Sequence, residues 1–163
     1  MLARVVQLGH EVTRDYAELE PVLVGSLKAS VVFLADLSRT LPFHHWLDFL
    51  ELSGYGKDAE TGGRKGIRLI KDLDVDIVGR HVLIVEDVID TGLTLNYLVR
   101  SLQLRQPASL AAVTLLDRPY RRLVADLPVR YVGFTVPDIL FAGYGFDLDE
   151  RYRNLPDLRV IRE

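Results

Sequence analysis

Apolar and polar residues are arranged along this chain in blocks that predict strands and helices in alternation. Three short, almost purely apolar runs are typical of strands buried on both faces of a sheet: Val22–Val24, His81–Val85 and Ser109–Leu116. Apolar residues at helical spacing predict helices over three segments: the first 19 residues, which end before Pro21, Ser30–Leu41, and Thr91 to about Arg105. The alternation predicts an α/β fold, an open parallel sheet flanked by helices.

Weaker patterns complete the predicted sheet and its connections. Partial alternation predicts further strands over Trp46–Leu52, Ile67–Leu73, Tyr131–Phe134 and Tyr144–Phe146. The segment Ser53–Gly66 is rich in glycine and charge, and an irregular connection of this length is typical of a functional loop. No repeat, low-complexity tract or linker interrupts the chain, so we expect a single domain over residues 1–163.

Composition narrows the classes of function. The net charge of −3 disfavours a broad basic face for nucleic acid. The absence of cysteine excludes disulfides and thiolate zinc sites, and no apolar run reaches the roughly 18 residues of a membrane span. The histidines at 10, 44, 45 and 81 show no ligand spacing. We therefore expect a soluble cytoplasmic protein without nucleic-acid or membrane partners.

The most informative segment follows the strand His81–Val85, since ligands of open α/β sheets bind beyond the carboxyl ends of the strands. Glu86 and Asp87 offer adjacent carboxylates that accept hydrogen bonds from vicinal sugar hydroxyls. Asp90–Thr94 leads into a helix N-terminus, whose free N–H groups and dipole suit a phosphate dianion. An ordinary helix cap explains Asp90–Gly92 alone, but not three carboxylates within five residues, which repel one another. The segment predicts a site for a ribose 5-phosphate.

Val82–Thr94 resembles the ribose-phosphate-binding motif of the hypoxanthine-guanine phosphoribosyltransferases, which are type I phosphoribosyltransferases. Further segments are similar to other parts of that family, in the same order from about residue 2 to 156. Leu23–Ser30 with Phe33–Leu37 resembles its pyrophosphate loop and the following helix, and Leu115–Pro119 its purine-contacting strand end. The C-terminal hood is matched by Pro137-Asp138, Gly143–Asp147 and Tyr152–Pro156.

The resemblance implies the type I phosphoribosyltransferase fold, with a small hood contributed by about residues 1–15 and 137–163. It also implies a purine salvage enzyme. The reaction would move 5-phosphoribosyl from its pyrophosphate donor to N9 of hypoxanthine or guanine, giving IMP or GMP and pyrophosphate. Magnesium would be the cofactor, and the protein would be a homodimer or homotetramer.

The resemblance also implies residue roles. Asp90 would be catalytic and accept a proton from the purine ring, normally at N7. The sugar would be bound by Glu86 and Asp87, and its 5-phosphate by Asp90, Thr91, Gly92, Leu93 and Thr94. Pyrophosphate would contact Leu27, Lys28, Ala29 and Arg153, with the Leu27–Lys28 peptide in the cis form. The purine would contact Arg118, Leu140, Phe141 and Asp147, and magnesium would be held by Asp147, Glu86 and Asp87. Gly54 and Tyr55 would belong to a lid.

Four positions depart from the common family pattern. Ala29 replaces a glycine of the pyrophosphate loop, and Gly54 replaces a serine of the lid. Arg118 replaces the lysine that reads the 6-oxo group, and Leu140 stands where an aromatic residue is usual. These departures leave two alternatives open: another base (xanthine, adenine or a pyrimidine) or a catalytically weak nucleotide sensor. A third alternative is a phosphoaccepting receiver domain, which also collects carboxylates at strand ends.

Overall fold

The structure is a computed structural model that describes residues 1–53, 56–57, 64–65 and 67–161. The predicted lid residues Gly54 and Tyr55 lie outside the described residues. The helices are α1 (Leu2–Tyr16), α2 (Ser30–Thr40) and α3 (Leu93–Gln103). The strands are β1 (Val22–Leu27), β2 (Trp46–Leu52), β3 (Gly56–Lys57), β4 (Arg64–Lys65), β5 (Leu69–Lys71), β6 (His81–Ile89), β7 (Ser109–Asp117), β8 (Val129–Thr135), β9 (Phe141–Ala142) and β10 (Arg159–Val160). In the described ranges, no helix is both long and apolar enough to cross a membrane.

The main sheet has six strands in the order β5-β2-β1-β6-β7-β8. Neighbouring strands are parallel except for β5, which pairs antiparallel with β2 at one edge. The predicted fold class is confirmed, with this antiparallel edge added. From β1 the chain moves first to β2 on one side and later to β6 on the other. The carboxyl ends of β1 and β6 therefore flank a topological switch point, where open α/β sheets bind ligands.

Both faces of the sheet are covered, which explains the unbroken apolar runs. Successive side chains of β1 and β6 point to opposite faces. On one face Leu23, Leu83 and Val85 pack with α1 and α2. On the other face Val22, Val24, Val82 and Ile84 pack with α3. Every position in the middle of these strands must therefore be apolar.

The two central strands extend further than their apolar runs predict. β1 continues through Leu27 and β6 through Ile89, because the parallel pairing with β2 and β7 continues past the apolar residues. Glu86 and Asp87 are consequently strand residues and do not lie in the loop that follows. The predicted strand over Tyr144–Phe146 is wrong, because Gly143, Tyr144 and Gly145 all have positive φ and form turns.

The C-terminal segment folds over the carboxyl edge of the sheet. β9 and β10 form a two-stranded antiparallel sheet. The Tyr144 hydroxyl donates a hydrogen bond to Asp36 of α2 (2.5 Å), and Gly145 lies directly against Ala29, the residue before α2. The hood is thus attached to the loop after β1. The other segment expected in the hood, α1, packs on α2 and β8, and its Arg4 guanidinium donates to the carbonyl of Val132 (2.8 Å).

Gly145→Ala is expected to destabilise the protein more than Gly79→Ala. Both glycines have positive φ, +94° and +67°, so alanine is strained at either position. At position 145 the new Cβ would also lie 2.2 Å from the Ala29 carbonyl oxygen, whereas at position 79 it would meet nothing within 4 Å. Chemical denaturation of both variants measures the difference. Equal losses of about 1 kcal/mol, the cost of backbone strain alone, would contradict the close approach.

Candidate active site

A cavity of about 370 Å³ lies at the switch point between β1 and β6. Three segments line it: the end of β1 with the following loop, the end of β6 with the start of α3, and the hood. These segments bring together most of the predicted sugar, phosphate and pyrophosphate residues. They are Leu27, Lys28, Ala29, Glu86, Asp87, Asp90, Thr91, Gly92, Thr94, Asp147 and Arg153.

Glu86 and Asp87 form an acidic pair at the end of β6. Glu86 is only 4% exposed, and its Oε1 has no hydrogen-bond partner among the residues that the structure describes. Burial raises the pKa of Glu86 well above its usual range, and the charge of Asp87 is the second cause. Burial also raises the pKa of Asp87 to about 6, although hydrogen bonds from backbone N–H groups oppose the shift. Glu86 therefore needs a donor or a cation that the described residues do not supply.

The turn from β6 into α3 has the geometry of an anion site. Gly92 has φ +82°, and an added Cβ would lie 2.8 Å from Leu127 Cδ1. The positive φ is what favours glycine there, since the end of the Leu127 side chain could shift. α3 begins at Leu93, whose N–H makes only a long bond of 3.4 Å to the Thr91 hydroxyl. The N–H groups of the first turn have no acceptor within the helix, and the helix dipole places positive charge at this end.

Asp90 is held on one side only. Its Oδ2 accepts a hydrogen bond from Arg121 (3.0 Å) and lies 3.8 Å from Arg118 Nη1. Its Oδ1 is buried and has no partner within the described part of the chain. One carboxylate oxygen is thus fixed by two cations, while the other remains free to accept a proton at the cavity.

Arg121 was not predicted from the sequence. It also pairs with Asp138 of the hood segment (3.3 Å), so it joins the end of β6 to the hood. The signal that was overlooked is the concentration of arginines directly after the end of β7, at positions 118, 121 and 122.

The predicted purine residues lie beside the cavity, and the structure separates them. The Arg118 guanidinium lies 5.4 Å from the centre of the Phe141 ring and donates to the Ile139 carbonyl (2.5 Å). Leu140 is 53% exposed, and none of Arg118, Phe141 and Leu140 is among the cavity-lining residues. The structure therefore brings Arg118, Phe141 and Asp90 together and leaves Leu140 outside this group.

Cations and carboxylates alternate on the opposite side of the cavity. The Leu27–Lys28 peptide is cis, as the resemblance implies. Arg153 Nη2 lies 2.8 Å from Asp147 Oδ1. Glu150, which was not predicted, pairs with both Lys28 (3.3 Å) and Arg153 (3.2 Å), and hydrogen bonds from Arg153 and Lys28 lower its pKa.

The alanine that departs from the family pattern is compatible with its conformation. Ala29 has φ −68° and ψ −30°, a region that every L-residue adopts. A methyl group at this position therefore carries no backbone penalty in the cis form of the loop.

The donors of the cavity fit a hydrated magnesium ion better than a fully protein-bound metal. Among residues 1–53 and 67–161, no three histidine, aspartate or glutamate side chains are grouped so that they could hold a metal alone. Magnesium keeps several waters and takes one or two carboxylates together with substrate phosphates. Glu86, Asp87 and Asp147 supply such carboxylates, and the unpartnered Glu86 oxygen is suited to a cation or its water.

Comparison with known proteins agrees with this geometry. The phosphoribosyl transferase domain matches residues 1–151. Hypoxanthine phosphoribosyltransferase of Salmonella typhimurium is 48% identical over 156 residues, which cover 94% of this chain and 86% of that protein. Hypoxanthine-guanine phosphoribosyltransferase of Bacillus subtilis is 43% identical, with coverage of 98% and 87%. The crystal structure of the hypoxanthine-guanine phosphoribosyltransferase of Bacillus anthracis superposes with a TM-score of 0.90 at 43% identity, covering 99% and 93% of the two chains.

Asp87→Asn is expected to make the ligand-free protein more stable at pH 7 but not at pH 4. Because the pKa of Asp87 is about 6 in the folded state and 3.8 normally, the folded protein binds more protons than the unfolded one between these values. Its free energy of unfolding therefore falls as the pH rises from 4 to 6. The variant lacks this loss, so at pH 7 its free energy of unfolding should exceed that of the wild type by on the order of 1–3 kcal/mol.

Urea denaturation at several pH values measures this gain. Asp126→Asn, which removes an exposed carboxylate, is the matched control and should follow the wild type at every pH. If Asp87→Asn also follows the wild-type pH dependence, the cost of burying this carboxylate has been overstated.

Proposed function

Since the chain belongs to the hypoxanthine-guanine phosphoribosyltransferase family, we propose that it catalyses purine salvage. It transfers 5-phosphoribosyl from the pyrophosphate donor to N9 of hypoxanthine or guanine and releases pyrophosphate. One observation carries the proposal for this chain. The carboxylate pair Glu86 and Asp87 and the N-terminus of α3 line the same cavity. Asp90 lines it as well, and its Oδ1 has no partner among the described residues.

The sugar half of the donor occupies the end of β6. The 2′ and 3′ hydroxyls donate to Glu86 and Asp87, which supplies the hydrogen bond that the buried Glu86 Oε1 lacks. The 5-phosphate accepts hydrogen bonds from the start of α3, where Gly92 turns the backbone in the left-handed conformation. These contacts fix C1′ of the ribose between the purine and the pyrophosphate.

Asp90 is the proton acceptor of the reaction. N9 of the purine forms a bond to C1′ while the bond from C1′ to the pyrophosphate oxygen breaks, and the electron pair leaves with pyrophosphate. The proton released from N7 passes to the free Oδ1 of Asp90, since Oδ2 is occupied by Arg121. The two arginines orient the carboxylate but do not take part in this transfer.

Pyrophosphate is received on the other side of the cavity. Lys28 and Arg153 supply positive charge, and the loop at Leu27–Ala29 supplies backbone N–H groups. Magnesium would be held there through Asp147 and the acidic pair, with waters completing its shell, and would neutralise the charge that develops on pyrophosphate.

Base selection depends on Arg118. Its guanidinium is positioned by the Ile139 carbonyl and by the Phe141 ring, so it is ordered before the base arrives. The guanidinium is a hydrogen-bond donor, so it favours purines that carry oxygen at C6. It disfavours adenine, whose amino group at C6 is itself a donor. Xanthine also carries the 6-oxo group, so it is the alternative base that this contact favours. The homodimer or homotetramer and the cytoplasmic location expected above remain predictions.

An assay of pyrophosphate release decides between the enzyme and its rivals. The protein is mixed with magnesium, the ribosyl donor and one of five bases: hypoxanthine, guanine, xanthine, adenine or uracil. Because a guanidinium donor at Arg118 suits a 6-oxo acceptor, release should be fastest with 6-oxopurines. No release with any base would contradict the transferase and favour a nucleotide sensor. Release with adenine or uracil alone would contradict the role given to Arg118.

Asp90→Asn is expected to reduce turnover by about 10²–10⁴, the usual effect of losing an acid–base group. The amide keeps the shape of the side chain but accepts a proton far less readily. Asp138→Asn is the matched control, since it removes another carboxylate that pairs with Arg121 but does not line the cavity. Steady-state kinetics with hypoxanthine measure both variants. A rate near that of the wild type in Asp90→Asn would remove Asp90 from the chemistry.

A further inference from the structure

Glu150 occupies the position between the two cations assigned to pyrophosphate. Its Oε2 lies 3.3 Å from Lys28 Nζ and its Oε1 lies 3.2 Å from Arg153 Nη2. One carboxylate therefore bridges a cation of the loop after β1 and a cation of the hood. Each oxygen serves one cation, which is the arrangement that two oxygens of a phosphate group would adopt.

The hood turn is built to deliver this side chain. Glu150 has φ +61° and Asp149 has φ +52°, so two consecutive residues adopt the left-handed conformation. The Glu150 N–H donates to Asp147 Oδ2 (2.9 Å), and Asp147 Oδ1 pairs with Arg153. The turn thus presents Glu150 to the same arginine that Asp147 holds in place.

The bridge is weak enough to be displaced. The side chains of Lys28 and Glu150 are 58% and 66% exposed, and solvent-exposed ion pairs of this kind are weak. A pyrophosphate group carries more charge than a carboxylate and offers more acceptor oxygens. Glu150 therefore competes with this ligand for Lys28 and Arg153 without closing the site.

We propose that Glu150 is an internal counter-ion that the pyrophosphate group displaces on binding and that returns to Lys28 and Arg153 on release. This inference rests on the proposed function and adds to it a residue that sets the affinity for pyrophosphate. Without such a competitor, Lys28 would lose the carboxylate partner that it has among the described residues, and Arg153 would pair with Asp147 alone. Glu150 acts on the affinity for product and donor and takes no part in the bond changes.

The test compares Glu150→Gln with Asp149→Asn. Glutamine keeps the shape of Glu150 and removes its charge, while asparagine removes a charge from the adjacent exposed residue, which pairs with neither Lys28 nor Arg153. Asparagine also tolerates the positive φ of position 149. The pair therefore separates the loss of this bridge from a general change in the charge of the hood.

Two measurements are made at low salt. The first is calorimetric titration with magnesium pyrophosphate, and the second is inhibition of turnover by pyrophosphate while the concentration of the ribosyl donor is varied. Glu150→Gln should bind pyrophosphate about 2–5-fold more tightly than the wild type, the effect of losing a weak exposed ion pair. Its KM for the donor should also be lower than that of the wild type, and its KM for the base should be unchanged. The gain should shrink as salt screens the bridge.

The outcomes separate this inference from the function on which it rests. Tighter binding by Glu150→Gln, with wild-type affinity in Asp149→Asn, supports it. Unchanged or weaker binding by Glu150→Gln, or an equal gain in both variants, overturns it in proteins that still turn over. Absence of turnover with every base overturns the proposed function instead, whatever affinity is measured.

Discussion

Glu86 and Asp87 carry two carboxyl groups side by side at the end of the central strand, where Glu86 is almost entirely removed from water. Burial disfavours the charged form of both groups, and the charge of Asp87 adds to this for Glu86, so the ligand-free fold bears a cost at this point. The rest of the cavity suits ligands whose binding offsets this free-energy cost. A polyol that donates to both groups, or a cation near them, recovers it on binding. The strand that holds the pair continues its pairing with β7 past both residues, so the sheet keeps the two carboxyl groups at the cavity.

The parts of the structure that depend on local sequence were predictable. β1, β6 and β7 are buried on both faces, and this condition alone makes their centres apolar and recognisable. The sugar and phosphate residues follow each other within one strand and turn, so their order in the chain is also their order in space. Their resemblance to a family motif then predicted the positions of Lys28 and Arg153 at the same cavity.

The parts that depend on contacts between distant segments were missed. Arg121 reaches Asp90 and Asp138 across three separate stretches of chain, and no spacing within one stretch encodes such a contact. Glu150 was missed for the same reason, since its partner Lys28 lies far away in the first loop, although its other partner, Arg153, is only three residues further on. The turn at Tyr144 was taken for a strand because its aromatic residues alternate, whereas the glycines on either side adopt positive φ.

The contact between Gly145 and the Ala29 carbonyl has a consequence for protein engineering. Because a single Cβ at position 145 would overlap the loop after β1, the hood and this loop fit each other to within the size of one methyl group. A hood grafted from a relative would therefore have to be transplanted together with that relative's loop. For the same reason, libraries that diversify the loop should sample both positions jointly, since residues tolerated at one depend on the backbone at the other.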